Sequence, residues 1–327
     1  MTDTSVLVLV DHHEGTVRAS ANELLTAARS LGSGIGAVWL GDGAEQHLPA
    51  LAAHGASVVH QVELGENGAT PAAVAQALAE VCAAAGATTV LLSSTFENKE
   101  AAALLALALD AGLAVDVSGL ELGEAGRVVT VQQAFTATWT VRSEVVTERA
   151  VVALKPNAVQ AGPSSDAPSV AEVVTHALAG PVQERGARVV SRTPRPSSGR
   201  PDLGEARTVV VGGRGTEGDF SVVEELADAL DGAVGATRVA TDEGWISHDA
   251  QIGQTGVTVS PRLYVGAGVS GAVHHRGGMQ SSETIVAVNS DPEAPIFEIA
   301  DFGVVGDLFT VLPQAAAEIR RVRAEQG

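Results

Sequence analysis

The chain has 327 residues, a hydrophobic fraction of 45%, an aromatic fraction of 3% and a formal net charge of -19. This length is enough for two domains of about 150 residues each, with cores built mainly from Ala, Val and Leu. The negative charge disfavours binding to nucleic acid or to anionic membrane surfaces, which carry charge of the same sign. The single cysteine, Cys82, excludes an internal disulfide framework and a cysteine-rich metal site.

The N-terminal stretch MTDTSVLVLVD leads directly into an apolar, strand-like run. It has neither the basic start of a signal peptide nor the arginine-rich composition of a transit helix. No apolar run in the chain approaches the ~18 residues that a membrane-spanning helix needs. We therefore expect a soluble, cytoplasmic protein without membrane insertion.

The first half of the chain alternates between strand-like and helix-like segments. Strands are predicted at 5–10, 35–41, 56–63 and 88–94, and helices at 19–32, 70–87 and 98–112. Thr70 is the predicted N-cap of its helix, with Pro71 at the first helical position and Cys82 buried within it. The βαβ spacing predicts an α/β fold with a mostly parallel sheet covered by helices on both faces. Residues 127–155 are interpreted as successive antiparallel strands that extend an edge of this sheet.

Residues 180–207 interrupt the alternation with a segment rich in Pro, Ser, Gly and Arg. Its arginines form the one basic patch in the sequence: Arg185, Arg188, Arg192, Arg195, Arg200 and Arg207. We interpret the segment as an interdomain linker. The alternative is that this basic segment binds along the surface of an acidic partner. The predicted organisation is an N-terminal α/β domain at 1–185, a linker at 186–206 and a second domain at 207–327.

The alternation of strands and helices resumes after the linker. Strands are predicted within 207–215, AVGATR, PRLYVGAGVSG, TIVAVN and IFEIADFG, and helices at 221–232 and 306–326. Pro313 is expected to break or restart the last helix, because proline removes a helical hydrogen bond.

Four turns that contain glycine are predicted to follow strands of the second domain. They are GGRG (212–215), GATR (235–238), IGQTG (252–256) and GVSGAVHH (268–275). The carboxyl ends of parallel strands share one edge of a sheet, and ligands bind in the crevice outside that edge. Glycine allows the backbone to approach a ligand closely, and free N–H groups at helix starts attract phosphate. The set predicts an extended nucleotide that lies across several strands.

Gly266, Gly268 and Gly271 also match the G-x-G-x-x-G spacing of an NAD-binding turn. An NAD-binding turn requires an acidic residue ~20 positions later, at the end of the next strand. TIVAVN ends in the neutral Asn289, although Asp291 follows closely. The motif also falls late in its domain, and no acid–base pair for hydride transfer follows. A stand-alone NAD-dependent dehydrogenase is therefore a less favoured alternative.

Five segments of the second domain carry a resemblance to a known family: RPDLGEARTVVVGGRG, AVGATR, IGQTG, LYVGAGVSGAVHH and NSDPEAPIFEIADFGVVGDLF. Through them the second domain resembles the α subunit of electron transfer flavoprotein. The first domain is similar more loosely, through its opening strand and the ELLTAARSLG helix. The resemblance implies two α/β domains, of which the second is a Rossmann-like FAD-binding domain and the first contacts a β subunit. It implies one FAD per heterodimer and AMP in the β subunit.

The same resemblance implies an electron carrier of fatty-acid β-oxidation rather than an enzyme with its own substrate turnover. Electrons would pass from acyl-CoA dehydrogenases and other flavoprotein dehydrogenases to a membrane quinone oxidoreductase. The alternative is a subunit of an electron-bifurcating relative that oxidises NADH and holds a second FAD, largely in the β subunit.

The resemblance also implies roles for individual residues. Ser270, Gly271, Ala272 and Val273 match the pyrophosphate cradle, which uses backbone N–H groups and the Ser270 hydroxyl. Asn289 and Asp307 match the adenosine end. The residues that match positions near the flavin ring are Arg214, Arg238, Gln254, Thr255 and His275, the last beside the C2 carbonyl. The other expected cofactor contacts are Thr237, Ile252, Gly253, His274 and Leu308.

The chain departs from the family pattern at several positions. His274 stands where the family often has Gln, Thr237 where it often has Ser, and Gly266 where it has Ala or Thr. Arg276 occupies a position that is usually apolar, adding a cation near the cofactor or on the surface. Because of these differences, the resemblance does not predict the redox potential of the bound flavin. No metal site is predicted, since the adjacent His12 and His13 would point to opposite sides of a strand.

Overall fold

The computed structural model describes residues 5–13, 15–32, 34–64, 70–168, 170–180, 190–191, 193 and 199–326. They divide into two compact units, one built mainly from residues 1–194 and the other mainly from residues 195–327. Much of the predicted linker at 186–206, namely residues 186–189, 192 and 194–198, lies outside the described residues, and the predicted domain boundaries stay predictions. No helix within the described part of the chain is long and apolar enough to cross a bilayer.

The first unit contains eleven strands and four α-helices among its described residues. The strands are β1 (Val6–Leu9), β2 (His12–His13), β3 (Thr16–Val17), β4 (Ile35–Leu40), β5 (Val58–Glu63), β6 (Thr89–Ser93), β7 (Gly112–Leu122), β8 (Val128–Ala134), β9 (Trp139–Glu144), β10 (Ala150–Leu154) and β11 (Glu172–Ala177). The helices are α1 (Ala19–Ala28), α2 (Leu48–Ala53), α3 (Pro71–Ala85) and α4 (Phe96–Leu109).

Nine of these strands form one sheet in the order β11-β5-β4-β1-β6-β10-β7-β8-β9. The α/β interpretation is confirmed, but the prediction that 127–155 is wholly an antiparallel edge extension is wrong. β7 and β8 do pair antiparallel, whereas β10 lies between β6 and β7 and is parallel to both. All five residues of β10 are buried. A continuous apolar run of this kind is typical of a central parallel strand.

The local signals for α3 are confirmed, while the limits of its neighbours differ from prediction. The Thr70 hydroxyl accepts a hydrogen bond from the Ala73 N–H, and Pro71 opens the helix. Cys82 is buried in α3. α4 begins earlier than expected because Thr95 caps it, accepting from the Asn98 N–H. β7, β11 and α2 are elements that the sequence reasoning missed.

The second unit is a five-stranded, wholly parallel sheet in the order β13-β12-β14-β15-β16. Its strands are β12 (Thr208–Gly212), β13 (Ala233–Ala236), β14 (Leu263–Ala267), β15 (Thr284–Asn289) and β16 (Phe302–Val305). Its helices are α5 (Ser221–Ala229), α6 (Arg238–Asp242), α7 (Val273–Met279) and α8 (Leu308–Gln326). Successive β12 residues pack into two separate apolar clusters, Val210 into one and Val209 and Val211 into the other, so this sheet is covered on both faces.

Two expectations for the end of this unit are wrong. Pro313 lies inside α8, which continues through it without a break. Because Pro313 falls near the start of the helix, its missing N–H removes only one early intrahelical hydrogen bond. The IFEIADFG segment is not one strand: Pro295–Glu298 forms a 3-10 helix, with Pro295 at a starting position that favours helix, and β16 begins only at Phe302.

Candidate functional site

A cavity of about 530 Å³ opens in the second unit, where the turns after β12, β13, β14 and β15 meet. Its wall comprises Arg214, Gly215, Glu217, Thr237, Arg238, Val239, Gln251, Ile252, Gly253, Thr255, Gly268, Val269, Ser270, Gly271, Ala272, His274, His275, Asn289, Asp291, Ala294 and Pro295. All four predicted glycine turns contribute residues to it. The cavity lies at the carboxyl edge of a parallel sheet, where α/β folds of this type bind ligands.

The IGQTG turn reaches the cavity by a route that sequence reasoning did not foresee. It follows the 3-10 helix His248–Ala250 instead of a regular strand, and single bridges join Gln251 to Ala236 and Ile252 to Val257. Its backbone packs directly on α7. The Gln254 N–H donates to the His274 carbonyl at 2.9 Å, and a Cβ on Gly278 would lie 2.4 Å from the Gly253 nitrogen. Glycine at position 278 is therefore required by backbone contact.

The G-x-G-x-x-G spacing has a packing explanation in this fold. Gly268 has a φ of +62°, and a Cβ on Gly213 would lie 2.3 Å from its carbonyl oxygen. Gly271 has a φ of +81°, and a Cβ there would lie 2.6 Å from the backbone nitrogen of Ile296. A Cβ on Gly266 would meet the ring of Tyr264 at 2.9 Å. Gly268 and Gly271 thus let neighbouring turns close around the cavity, whereas Gly266 leaves room for the Tyr264 ring of its own strand.

Backbone donors line the part of the cavity at the end of β14. The N–H groups of Ser270, Gly271 and Ala272 have no acceptor among the described residues. Successive free N–H groups of this kind form a concave site for anionic oxygen atoms. The arrangement suits a phosphate or pyrophosphate group.

A short hydrogen-bond network directs the hydroxyl of Thr255. The Gln251 side chain is buried, and its Oε1 accepts from the Thr241 hydroxyl at 3.0 Å. Its Nε2 donates to the Thr255 Oγ1 at 3.1 Å. Because this oxygen already accepts a hydrogen bond from Gln251, the Thr255 O–H is left to donate to a ligand in the cavity.

Charged residues of both signs line the cavity. Arg238 is exposed and donates through Nε to Asp242, one helical turn away, at 3.1 Å. The side chain of Arg214 forms no ion pair with any described residue. Glu217 and Asp291 are the acidic members of the wall. Arg214 is thus the cation whose charge is less compensated by a neighbouring carboxylate.

His275 contributes to the cavity wall but uses both ring nitrogens within the protein. Its Nδ1 lies 3.0 Å from the Ile252 carbonyl oxygen, and its Nε2 lies 2.7 Å from the Tyr264 hydroxyl. Burial lowers the pKa of His275 to about 4, against a smaller opposing effect of the Ile252 carbonyl. Burial raises the pKa of Tyr264 well above its usual value. Both side chains are therefore neutral at pH 7.

The structure brings twelve of the sixteen residues predicted for the cofactor site into the cavity wall. The four that it places elsewhere are Gln254, Val273, Asp307 and Leu308. The Gln254 side chain packs against Gly277, and Val273 is 65% exposed. Asp307 accepts hydrogen bonds at the start of α8, and Leu308 is buried in the core.

Sequence reasoning missed the roles of Gln251 and Tyr264 and left that of Arg276 undecided. Gln251 directly precedes the IGQTG turn, which was the only signal that could have drawn attention to it. Tyr264 lies in an apolar strand, where no local signal distinguishes it from a core residue. The position of the Arg276 side chain, only 16% exposed, is set by contacts that its neighbours in sequence do not reveal.

Comparison with known proteins gives matches along most of the chain. Residues 6–181 match the electron transfer flavoprotein domain, and residues 202–280 match the electron transfer flavoprotein FAD-binding domain. An electron transfer flavoprotein subunit alpha of Mycobacterium leprae (strain TN) is 42% identical over 320 residues, which cover 96% of this chain and 98% of that protein. The corresponding subunit of Mycobacterium tuberculosis (strain ATCC 25618 / H37Rv) is 44% identical over 322 residues, with the same coverage. A mitochondrial subunit alpha of Dictyostelium discoideum is 54% identical over 126 residues, which cover 38% of this chain and 36% of that protein.

Proposed function

Because the chain belongs to the electron transfer flavoprotein α-subunit family, we propose that its second unit binds one FAD and passes electrons between partner flavoproteins. The chain is one subunit of an electron carrier and not an enzyme with its own substrate turnover. Its partner is a β subunit, for which we propose one bound AMP. We further propose acyl-CoA and related dehydrogenases as electron donors and a membrane quinone oxidoreductase as acceptor. The cytoplasmic location stays a prediction.

The observation that carries the proposal is the combination of free backbone donors and side-chain donors in one cavity. The N–H groups of Ser270, Gly271 and Ala272 suit the pyrophosphate of FAD. The Thr255 hydroxyl suits a nitrogen or carbonyl acceptor on the flavin ring, and the guanidinium groups of Arg214 and Arg238 favour negative charge on a reduced ring. FAD would supply the redox chemistry, while these residues bind it, orient it and adjust its potential.

The neutral state of His275 refines the role that the resemblance implied for it. With Nδ1 donating to the Ile252 carbonyl and Nε2 accepting from Tyr264, the ring has no N–H free for the C2 carbonyl of a flavin. We propose that His275 fixes the turn at Ile252, which lines the cavity. His274 is exposed beside it and is the imidazole that remains available to a ligand.

The experiment that tests the function is co-expression of the chain with a β subunit, followed by purification and quantification of bound cofactors. One FAD and one AMP per heterodimer, with a visible flavin spectrum, is the expected result. Two FAD per heterodimer would instead favour the electron-bifurcating alternative. A colourless complex that binds NAD would contradict the proposal and favour a dehydrogenase.

A further inference from the structure

Three consecutive peptide carbonyl groups in the turn after β14 are each held by a different donor. The pairs are Asn289 Nδ2 to the Val269 oxygen at 2.9 Å, the Ile296 N–H to the Ser270 oxygen at 3.0 Å, and Arg276 Nε to the Gly271 oxygen at 2.7 Å. The donors come from the end of β15, the 3-10 helix Pro295–Glu298 and α7. The turn is therefore fixed from three separate directions.

The orientation of these carbonyl groups determines where the next three N–H groups point. In a trans peptide the C=O and the following N–H are directed oppositely, and no peptide among the described residues is cis. The N–H groups of Ser270, Gly271 and Ala272 consequently point away from the three donors. All three residues line the cavity, and these N–H groups have no acceptor among the described residues.

Arg276 differs from the other two donors because its side chain also contacts acceptors outside the turn. Besides Gly271, its Nη2 donates to the Pro295 carbonyl at 2.5 Å and to the Glu298 carboxylate at 2.9 Å. Its side chain is only 16% exposed, whereas that of Glu298 is 70% exposed. A planar guanidinium can reach several acceptors in a fixed geometry, which a lysine ammonium cannot reproduce. Arg276 thus joins α7, the turn and the 3-10 helix at one point.

We propose that Arg276 is a positioning residue that orients the Gly271–Ala272 peptide, and with it the turn, for binding the pyrophosphate of FAD. It acts through the peptide and does not touch the ligand. Its charge lies behind the carbonyl and polarises the peptide toward an anion on the N–H side. This inference rests on the proposed function. It adds that Arg276 supports binding of the FAD phosphates, whereas binding of the flavin ring does not depend on it.

The test measures the affinity of flavin-free heterodimer for FAD and for riboflavin, which has the same ring system but no phosphate. The informative variant is Arg276→Met, and the matched control is Glu298→Gln, which keeps both arginine–carbonyl contacts. Arg276→Met is expected to weaken FAD binding ~10-fold or more while leaving riboflavin affinity unchanged. Arg276→Lys should fall between Arg276→Met and the wild type. The ³¹P NMR signals of bound FAD should move in Arg276→Met and stay in place in Glu298→Gln.

Two results would overturn the inference. One is an equal loss of FAD and riboflavin affinity in Arg276→Met, which would mean that Arg276 only supports the fold. The other is unchanged FAD affinity in that variant. If the Arg276→Met heterodimer does not assemble, the test uses Arg276→Lys instead. A lower ratio of FAD affinity to riboflavin affinity than in the wild type would then support the inference, and an unchanged ratio would overturn it. A wild-type heterodimer that binds neither flavin would instead refute the proposed function itself.

Discussion

The hydroxyl of Tyr264 lies 2.7 Å from Nε2 of His275, and both side chains are buried. The opposite ring nitrogen of His275 faces the Ile252 carbonyl, which can only accept, so the proton of the neutral ring is on Nδ1. Tyr264 must then donate to Nε2. This chain of two hydrogen bonds links β14, α7 and the IGQTG turn, and it determines both the tautomer and the orientation of the imidazole.

We predict that Tyr264→Phe destabilises the heterodimer, because it leaves Nε2 of His275 buried without a donor. An unsatisfied buried polar group costs about 1–3 kcal/mol of unfolding free energy. The measurement is chemical denaturation of the flavin-free complex. Thr310→Val is the matched control, because it removes an exposed hydroxyl in the same unit. Among the described residues, that hydroxyl forms a hydrogen bond only with Asp307. Equal stability of the Tyr264→Phe complex and the wild type would contradict the assigned hydrogen bond.

His275 should also contribute to the pH dependence of stability. Its pKa in the folded protein is about 4, below the ordinary value of 6.5. The unfolded chain therefore binds more protons between these pH values, and stability falls as the pH decreases from about 6.5 to about 4. The loss is on the order of 3 kcal/mol, after which it levels off.

His275→Gln should remove this contribution and flatten the pH profile of the unfolding free energy. His60, in the first unit, is the internal comparison. Burial, and to a smaller degree the charge of His176, lower the pKa of His60 to about 4 as well. The two positions lie in separate units, so the effects of His275→Gln and His60→Gln are expected to add. Denaturation at pH 7 and pH 5 measures both; a profile unchanged by His275→Gln would contradict the buried neutral imidazole.

The sequence was sufficient to predict the alternation of elements and the gathering of the glycine turns at one edge. Those signals are local: Thr70 and Pro71 mark a helix start, and each glycine marks a turn. The interior position of β10 was not predictable in the same way. Its pairing with β6 and β7 is a long-range choice, and adjacency in sequence to β8 and β9 suggested an edge instead.

The site shows the same division between local and long-range information. Eleven of the twelve predicted residues that meet at the cavity lie in the glycine turns themselves, and the twelfth, Asn289, ends β15. Asp307 could not be excluded from the wall by sequence, since an aspartate before a helix serves equally well as an N-cap or as a ribose acceptor. Arg276 and Tyr264 acquire their roles from partners many residues away, and no local pattern records those contacts.

Gly278→Ala is predicted to disrupt the site without changing any polar group. The added methyl would lie 2.4 Å from the Gly253 nitrogen, a backbone atom that cannot move independently. Overpacking of this kind costs about 1–3 kcal/mol and would separate α7 from the IGQTG turn. Bound flavin per heterodimer and the thermal unfolding midpoint should both decrease. Gly162→Ala is the control, because its Cβ would meet no atom within 4 Å; similar behaviour of the two variants would refute this explanation.

The two arginines of the cavity wall should differ in their effect on the flavin potential. Arg238 is paired with Asp242, whose carboxylate reduces its field, while both Arg238 and Arg214 are exposed to solvent. Arg214 forms no ion pair with a described residue. Removing a cation near the ring destabilises the negatively charged reduced form and lowers the midpoint potential. Arg214→Gln should therefore lower it more than Arg238→Gln does.

A difference of about 1.4 kcal/mol corresponds to about 30 mV in a two-electron midpoint, which is within reach of spectroelectrochemical titration. Asp242→Asn should raise the midpoint slightly, because it leaves the charge of Arg238 uncompensated. Arg320→Gln is the control, since Arg320 is bound to Glu225 and does not line the cavity. A larger decrease for Arg238→Gln than for Arg214→Gln would show that Asp242 does not offset the charge of Arg238 at the flavin. Equal values for all four variants and the wild type would mean that neither guanidinium acts on the ring.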